Sequence, residues 1–511
     1  MQTILEARGI VMIYEDGVVA NRGVSLAVEQ QTIHAVVGEN GAGKSTLMKI
    51  LFGMRQPQEG VILYKGRPVR IRSSHEAIRL GIGMVHQHLM LVPDLTVAEN
   101  IVLGVEPVRG RMFLDMRTAQ QITERVSREY GLDVPPDRKI KDLPIGVRQR
   151  VEILKALYRN AELLILDEPT AVLTPQEAEK LFVTLRELKK HGKTIIFISH
   201  KLNEVKQIAD RVTVMRDARV ITTKDAAGIS EHDMAFLMVG REISFERVAP
   251  PPSTDQTLLG VRDLSYRDDD GVLALSGISF DVHAGEILGI AGVEGNGQTQ
   301  LVRILAGLLP ALGGAITIRG NLTEGLSPRR VREMEVAHIP EDRMEDGAAA
   351  EATLQENVIV DRYYKNPFSR GLRLLWPSIA RHTSDLVQRF TIVAKSTRAP
   401  MTSLSGGNIQ KVVVARELSS NPEVVIASQP TRGIDVGSEE MVHNLLTEAR
   451  DKGKAILLVS ADLDEVLKLS TRILVIYNGE LVAHFPDASR VTASDLGPYM
   501  LGVQREEGVR G

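Results

Sequence analysis

The feature that most constrains this chain is that it is written twice. A glycine-rich run, GENGAGKST at residues 38–46, returns as GVEGNGQTQ at residues 292–300, an offset of 254. IGMVHQH around Gln87 lines up with VAHIPED around Glu341 at the same offset. Farther along, LPIGV (143–147) pairs with LSGGN (404–408) at offset 261. LLILDEPT pairs with VVIASQPT, and IFISHKL around His200 with LLVSADL around Ala461, also at 261. Chance matches would not hold a constant offset; duplication of a half-chain unit does. The join falls at FERVAPPPSTDQT, where three prolines and small polar residues favour an extended linker. The expected domains are therefore 1–245 and 256–511, with a linker at 246–255.

Within each half, short β-rich apolar runs alternate with amphipathic helical stretches. VEQQTIHAVVG followed by GAGKSTLMKILFG reads as strand, glycine-rich turn and helix. AELLILDEP and KTIIFISH read as buried strands, with EAEKLFVTLRELKKHG as the helix between them. This is an α/β pattern with a mostly parallel sheet. Residues 96–138 are more helical and charged, and are expected to form a subdomain.

Composition removes several classes. With 43% hydrophobic and 25% charged residues, a largely disordered, collagen-like or membrane-embedded chain is excluded. Lys and Arg total 62 against 65 Asp and Glu, a net −3 that gives no argument for nucleic-acid binding. There is no cysteine, hence no disulfide, thiolate metal site or thiol nucleophile. The first residues lack the basic start and apolar block of a signal peptide. The strongest apolar runs are strand-length, short of the roughly 18–20 residues a spanning helix needs. Any membrane role is therefore expected to come through a partner.

Gly38, Glu39, Asn40, Gly41, Ala42, Gly43, Lys44 and Ser45 complete a G-x-x-x-x-G-K-S phosphate loop, followed by Thr46. The loop follows an apolar strand and opens a helix, the context such a loop needs. Its amides and the helix N-terminus would face phosphate, Lys44 would reach the β and γ phosphates, and Ser45 would ligate Mg²⁺. The run Leu163 to Glu168 is an apolar strand ending in two carboxylates. Asp167 would hold Mg²⁺ and Glu168 would accept a proton from the attacking water. An acidic pair that merely caps the next helix is the plainer alternative. Gln87 could bridge Mg²⁺ and that water, and His200 could touch the γ-phosphate, although a lone histidine is commonly structural. Tyr14 could stack on an adenine ring or serve only the core.

With this loop, LLILDEPT, ISH and above all LSGGN in place, the sequence resembles an ATP-binding cassette (ABC) protein carrying both nucleotide-binding domains. The resemblance covers nearly the whole chain. It implies two tandem P-loop domains, each with a RecA-like, mostly parallel sheet, an antiparallel β portion and a helical subdomain. It also implies that each ATP lies between the phosphate loop of one domain and the LSGG of the other. Ser405, Gly406 and Gly407 begin a helix and would meet the γ-phosphate. PEDR (340–343), LSGGN followed by QK, and QPTRGIDVG (429–437) are similar to the second halves of simple-sugar importers. VHQHLMLVPDLTVAEN, RVEILKALYR and LDEPTAVLTPQE look most like the nucleoside branch.

Under that rule the two sites are unequal. Site one joins Lys44, Ser45, Gln87, Asp167, Glu168 and His200 to residues 404–408, every expected group being present. Site two has Gln298 for the loop lysine, Ser428 for the aspartate, Gln429 for the base, Ala461 for the histidine and Glu341 for the glutamine. Opposite it, Pro144 and Ile145 stand where LSGG has serine and glycine. Site two is expected not to hydrolyse ATP, while Thr299 and Tyr266 leave room for residual nucleotide binding. The implied function is the ATPase of a bacterial ABC importer for nucleosides or a related sugar, with ATP and Mg²⁺ as cofactors. The implied partners are two transmembrane permeases, the only route to the membrane, and an extracytoplasmic solute-binding protein, with no nucleic acid. The chain would then lie on the cytoplasmic face of the inner membrane. The rivals are a soluble tandem ABC ATPase acting on ribosomes or DNA, and a P-loop kinase. The short proline-rich linker, Gln429 and the lack of cysteine argue against the first. The duplicated domain argues against the second.

Overall fold

The computed structural model describes residues 2–14, 17–86, 89–109, 113–170, 173, 175–199, 201–241, 254–268, 271–506 and 508–509. Most of the expected linker, together with Gln87 and His200, lies outside the described residues. The chain divides into two units, Met1–Ile243 and Ser244–Gly511.

In the first unit a six-stranded sheet runs in the order Arg219–Asp225, Arg211–Arg216, Ile33–Gly38, Thr194–Ile198, Leu163–Asp167, Ile82–Val85. All neighbours are parallel except the outermost pair, Arg211–Arg216 with Arg219–Asp225. The inner strands are buried along their whole length, which is why they read as unbroken apolar runs rather than as alternation. A four-stranded antiparallel sheet accompanies it, in the order Val19–Glu29, Thr3–Ile13, Glu59–Tyr64, Arg67–Val69.

The second unit repeats this strand for strand. Its six-stranded sheet runs Glu480–Phe485, Arg472–Tyr477, Ile287–Ala291, Ala455–Ser460, Val424–Ser428, Val336–Ile339.

The helical portion is larger than the stretch 96–138. It comprises Val97–Val102, Met116–Tyr130 and Ile145–Tyr158 in the first unit. Its counterparts are Leu354–Ile359, Trp376–Arg389 and Gly406–Ser419. Thr96 with Glu99, and Thr353 with Glu356, form capping boxes at the first helix of each set. Between the first and second helices each unit carries a small hairpin, Val108–Arg109 with Phe113–Leu114 and Ser369–Arg370 with Arg373–Leu374. Strands of two residues are too short to write a period-two pattern, so they are silent in the sequence.

One buried ion cluster fixes the helix Gly406–Ser419 against the second sheet. Glu417 is buried and accepts from Arg332 at 2.8 and 3.1 Å and from the backbone N–H of His338 at 3.1 Å. Arg416 pairs with it at 2.8 Å. Burial pushes the Glu417 carboxyl up, but the two guanidinium groups and the hydrogen bonds outweigh it and hold its pKa down to about 2. The stabilisation from this depressed value is present above the ordinary glutamate range and is lost as pH falls toward 2. Glu417→Ala strands two cations and is expected to cost about 3 kcal/mol or more. Denaturant unfolding at neutral pH checks the loss. The difference from the parent should shrink steadily as the pH is lowered from about 4.5 toward 2.

Candidate nucleotide site

The strand Ile33–Gly38 delivers the chain into the glycine-rich loop, and Lys44 opens the helix Lys44–Leu51. Gly43 caps that helix in the left-handed region, φ 93°. A Cβ there would lie 2.1 Å from the Ala20 carbonyl oxygen and 2.7 Å from Asn21 Nδ2, so only glycine fits. Asn21 is fully buried and donates from Nδ2 to the Gly43 carbonyl at 3.1 Å. Its role in shaping the loop has no motif to announce it.

Lys44 curls back over the loop. Its Nζ donates to the carbonyls of Gly38 at 2.6 Å and Glu39 at 3.1 Å, and the side chain is largely buried. A cation is thereby held over a cradle of backbone amides, ready for phosphate. Ser45 donates to Asp167 Oδ1 at 3.2 Å, bringing the hydroxyl and the carboxylate together from separate elements. Burial and the neighbouring Glu168 charge raise the Asp167 pKa, and Ser45 and Lys44 oppose them. Two oxygen donors of this type suit a hard divalent cation completed by phosphate and water.

Glu168 follows directly, with its backbone left-handed at φ 48° and its N–H donating to Ile198 at 3.1 Å. A residue with a Cβ pays for this conformation, which persists because the flanking strands over-determine it. Tyr14 is half-buried against the core, and its hydroxyl lies 3.0 Å from Thr46 Oγ1. Arg55 sits over its ring at 5.9 Å. The structure thus gathers Tyr14, residues 38–46, Asp167 and Glu168 into one site. Gln87 and His200 lie outside the described residues.

The LSGGN segment belongs to the second unit. Ser405 caps the helix Gly406–Ser419, and its hydroxyl accepts from Asn408 Nδ2 at 2.8 Å. In the first unit the same place is capped by Pro144, which offers no side-chain bond to the helix Ile145–Tyr158. Gln410 Nε2 donates to the Pro430 carbonyl at 2.7 Å. Gln149 makes the matching bond to Pro169. Each unit so ties its own LSGG-position helix to its carboxylate-position strand.

The second phosphate loop has the same fold and different chemistry. Gln298 turns inward on its own loop, where Nε2 donates to the Val293 carbonyl at 2.9 Å and Oε1 accepts the Asn296 N–H at 3.1 Å. A loop amide that phosphate would use is thus already satisfied. Thr299 donates to Glu341 Oε2 at 3.2 Å, and Glu341 also pairs with Arg432. Arg432 reaches Glu294 of the loop itself at 3.1 Å. Gln429 keeps the left-handed backbone of Glu168, at φ 46°, without its carboxylate.

The ABC transporter family model matches this chain twice, over residues 21–171 and 275–432. The chain belongs to the ABC transporter family. As an ABC protein it is an ATP-binding ATPase coupled to transport, built of two tandem P-loop domains. It is 45% identical over 486 residues to the nucleoside import ATP-binding protein NupA of Lactococcus lactis subsp. cremoris, covering 95% of each chain. It is 43% identical to the guanosine import ATP-binding protein NupO of Bacillus subtilis, covering 96% of each. It is also 43% identical to the glucose import ATP-binding protein TsgD13 of Haloferax volcanii, covering 91% of this chain and 90% of that one.

Two residues of this ABC protein escaped the motif reading. Arg343, quoted only as part of PEDR, donates to the Arg432 carbonyl at 2.8 Å. Its guanidinium also lies against Gly406, where a Cβ would come within 2.6 Å of it. Arg432, quoted only within QPTRGIDVG, bridges Glu294 and Glu341. The motifs show both charges but not their partners, so only the fold reveals what they do. The unequal loops make a direct prediction for ATP turnover. Lys44→Ala is expected to lower phosphate release by at least about 10²-fold, the scale on which single electrostatic donors act. Gln298→Ala is expected to leave it near the parent value.

Proposed function

We propose that this chain is the ATP-hydrolysing subunit of a bacterial importer of nucleosides, working through one competent site. The observation that carries the reading is the contrast between two loops of one fold. Lys44, Ser45, Asp167 and Glu168 present a cation, a metal-binding pair and a base, while Gln298, Ser428 and Gln429 present none of these. In this proposal ATP held by residues 38–46 is closed over by Ser405, Gly406 and Gly407. Tyr14 stacks on the adenine.

Mg²⁺ would be held by Ser45 and Asp167, with Gln87 completing the set, and would neutralise charge on the β and γ phosphates. Glu168 takes the proton of the attacking water, and His200 supports the γ-phosphate. Lys44 and the loop amides hold the phosphate chain in place throughout. The second loop's own bonds through Gln298, together with the Glu294–Arg432–Glu341 network, make it a structural partner rather than a second engine.

The partners proposed are two permease subunits and an extracytoplasmic binding protein. Among the described residues no helix is long and apolar enough to cross a membrane. A groove in the first unit, lined in part by His86, supports a permease contact. Phe52, Ile78, Met84 and Met90 line it, and Glu152 and Lys155 lie among them. Glu152 Oε1 is buried there without a hydrogen-bond partner, a vacancy that a donor on an incoming helix would fill. This docking would hold the chain at the cytoplasmic face of the inner membrane.

The nucleoside reading is supported by two relatives named for nucleoside and guanosine import. A sugar cargo is the second reading, supported by the glucose-import relative at the same 43% identity. Deleting the gene and measuring uptake of labelled guanosine, ribose and glucose separates them. Loss of guanosine uptake alone is the expected result. The mechanism has its own test. Glu168→Gln is expected to reduce phosphate release by about 10²-fold or more. Adding Gln429→Glu in that background is expected to restore nothing. Two phosphates released per chain in a single turnover would overturn the one-site account.

A further inference from the structure

The second unit's hairpin carries a surface that neither nucleotide chemistry nor core packing explains. From Arg370 to Pro377 every residue is exposed, in the order Arg-Gly-Leu-Arg-Leu-Leu-Trp-Pro. Leu372 at the turn is 109% exposed, and Trp376 is 44% exposed. The base of the hairpin is nevertheless fixed. Phe368 is buried with its ring 4.9 Å from that of His382, and the Leu375 N–H donates to the Phe368 carbonyl at 2.8 Å. The apolar tip is held out from the domain rather than folded onto it.

Charge says what covers it. Between Tyr363 and Ser384 the chain has no Asp or Glu, while it carries Lys365, Arg370, Arg373 and Arg381. All four are exposed, and among the described residues none of them forms an ion pair. In a protein of net charge −3 this is a local excess of cations without acidic partners around leucine and tryptophan, Lys365 resting over the Tyr364 ring at 5.7 Å. The first unit's hairpin also exposes Phe113 but is flanked by Glu106 and Asp115, so its arginines have acidic neighbours that the second unit's hairpin lacks. Leucine and tryptophan with arginine at their edge is the composition that settles at a bilayer interface. Apolar side chains enter the headgroup boundary, and guanidinium groups meet anionic lipid.

We infer that residues 370–377 form a direct contact with the anionic cytoplasmic leaflet, in addition to any contact made through permeases. The inference is independent of which solute is carried. Lys365 and Arg381 add to its field from the two flanks. Because each basic residue near an anionic surface contributes roughly a fivefold gain in partitioning, the four together make an otherwise weak insertion measurable.

The chain contains a single tryptophan, Trp376, and it lies in this surface. Its emission therefore reports the contact with no labelling. Full-length protein is titrated with vesicles of phosphatidylcholine containing phosphatidylglycerol, and with phosphatidylcholine alone. The expected result is a blue shift with the anionic vesicles, quenching by brominated acyl chains, and reversal in high salt. Arg370→Gln with Arg373→Gln is expected to weaken binding by about tenfold or more. Leu372→Asp with Leu375→Asp is expected to abolish the shift. Unchanged ATP turnover shows that both variants are folded. Equal response to neutral vesicles would overturn the inference. So would an emission unchanged by lipid, or a shift that appears only when permease is present in the vesicle and is absent with lipid alone.

Discussion

A single side chain bending back onto its own loop separates the two halves of this molecule. In the first half it is Lys44, whose ammonium is anchored by the carbonyls of Gly38 and Glu39. Those bonds position the cation without neutralising it. In the second half it is Gln298, which uses its carbonyl as well as its amide. Its Oε1 takes the Asn296 N–H and its Nε2 satisfies Val293. A neutral group with both a donor and an acceptor closes the loop on itself; a cation with donors only cannot. The two phosphate loops differ through that hydrogen-bonding inventory.

The backbone has not followed the chemistry. Both units keep the same strand order, the same glycine conformations at the loop and the same left-handed residue just after the strands Leu163–Asp167 and Val424–Ser428. Glu168 and Gln429 both hold φ near +47° at a conformational cost that neither residue type relieves. The geometry is imposed by strand pairing, which places the N–H of each against the neighbouring strand at 3.1 and 2.8 Å. Exchanging carboxylate for amide at this position therefore leaves the backbone that positions the side chain unchanged. The scaffold and the chemistry are separable because they rest on different groups: backbone bonds for the first, side-chain charge for the second.

The same separation sets what could be read from the sequence. The repeat, the parallel strands and the phosphate loop were legible because each is written in local order: a constant offset, an unbroken apolar run, glycines beside a lysine. Lys44, Ser45, Asp167 and Glu168 were legible as well, and the fold brings all four together. What stayed hidden depends on distant partners or on very short elements. Asn21 supports Gly43 from another strand, and nothing in its neighbours marks it. The hairpin at Ser369–Leu374 is too brief for alternation to show. Arg343 and Arg432 stood inside quoted motifs, yet their targets, Gly406, Glu294 and Glu341, are 63 to 138 residues away in sequence.

Those arginines also explain why the second unit can keep its shape around a loop that has lost its lysine. Glu294 of the second loop and Glu341 beside it would repel each other and any phosphate there. Arg432 lies between them and pairs with both. Its backbone carbonyl in turn accepts from Arg343, whose guanidinium rests on Gly406. The chain of contacts thus runs from Thr299 through Glu341 and Arg432 to the start of the LSGG helix, all within one unit. Half-exposed ion pairs contribute little each, but here they carry position more than stability. They bind the lysine-free loop to the one segment of the second unit whose serine and glycines remain complete.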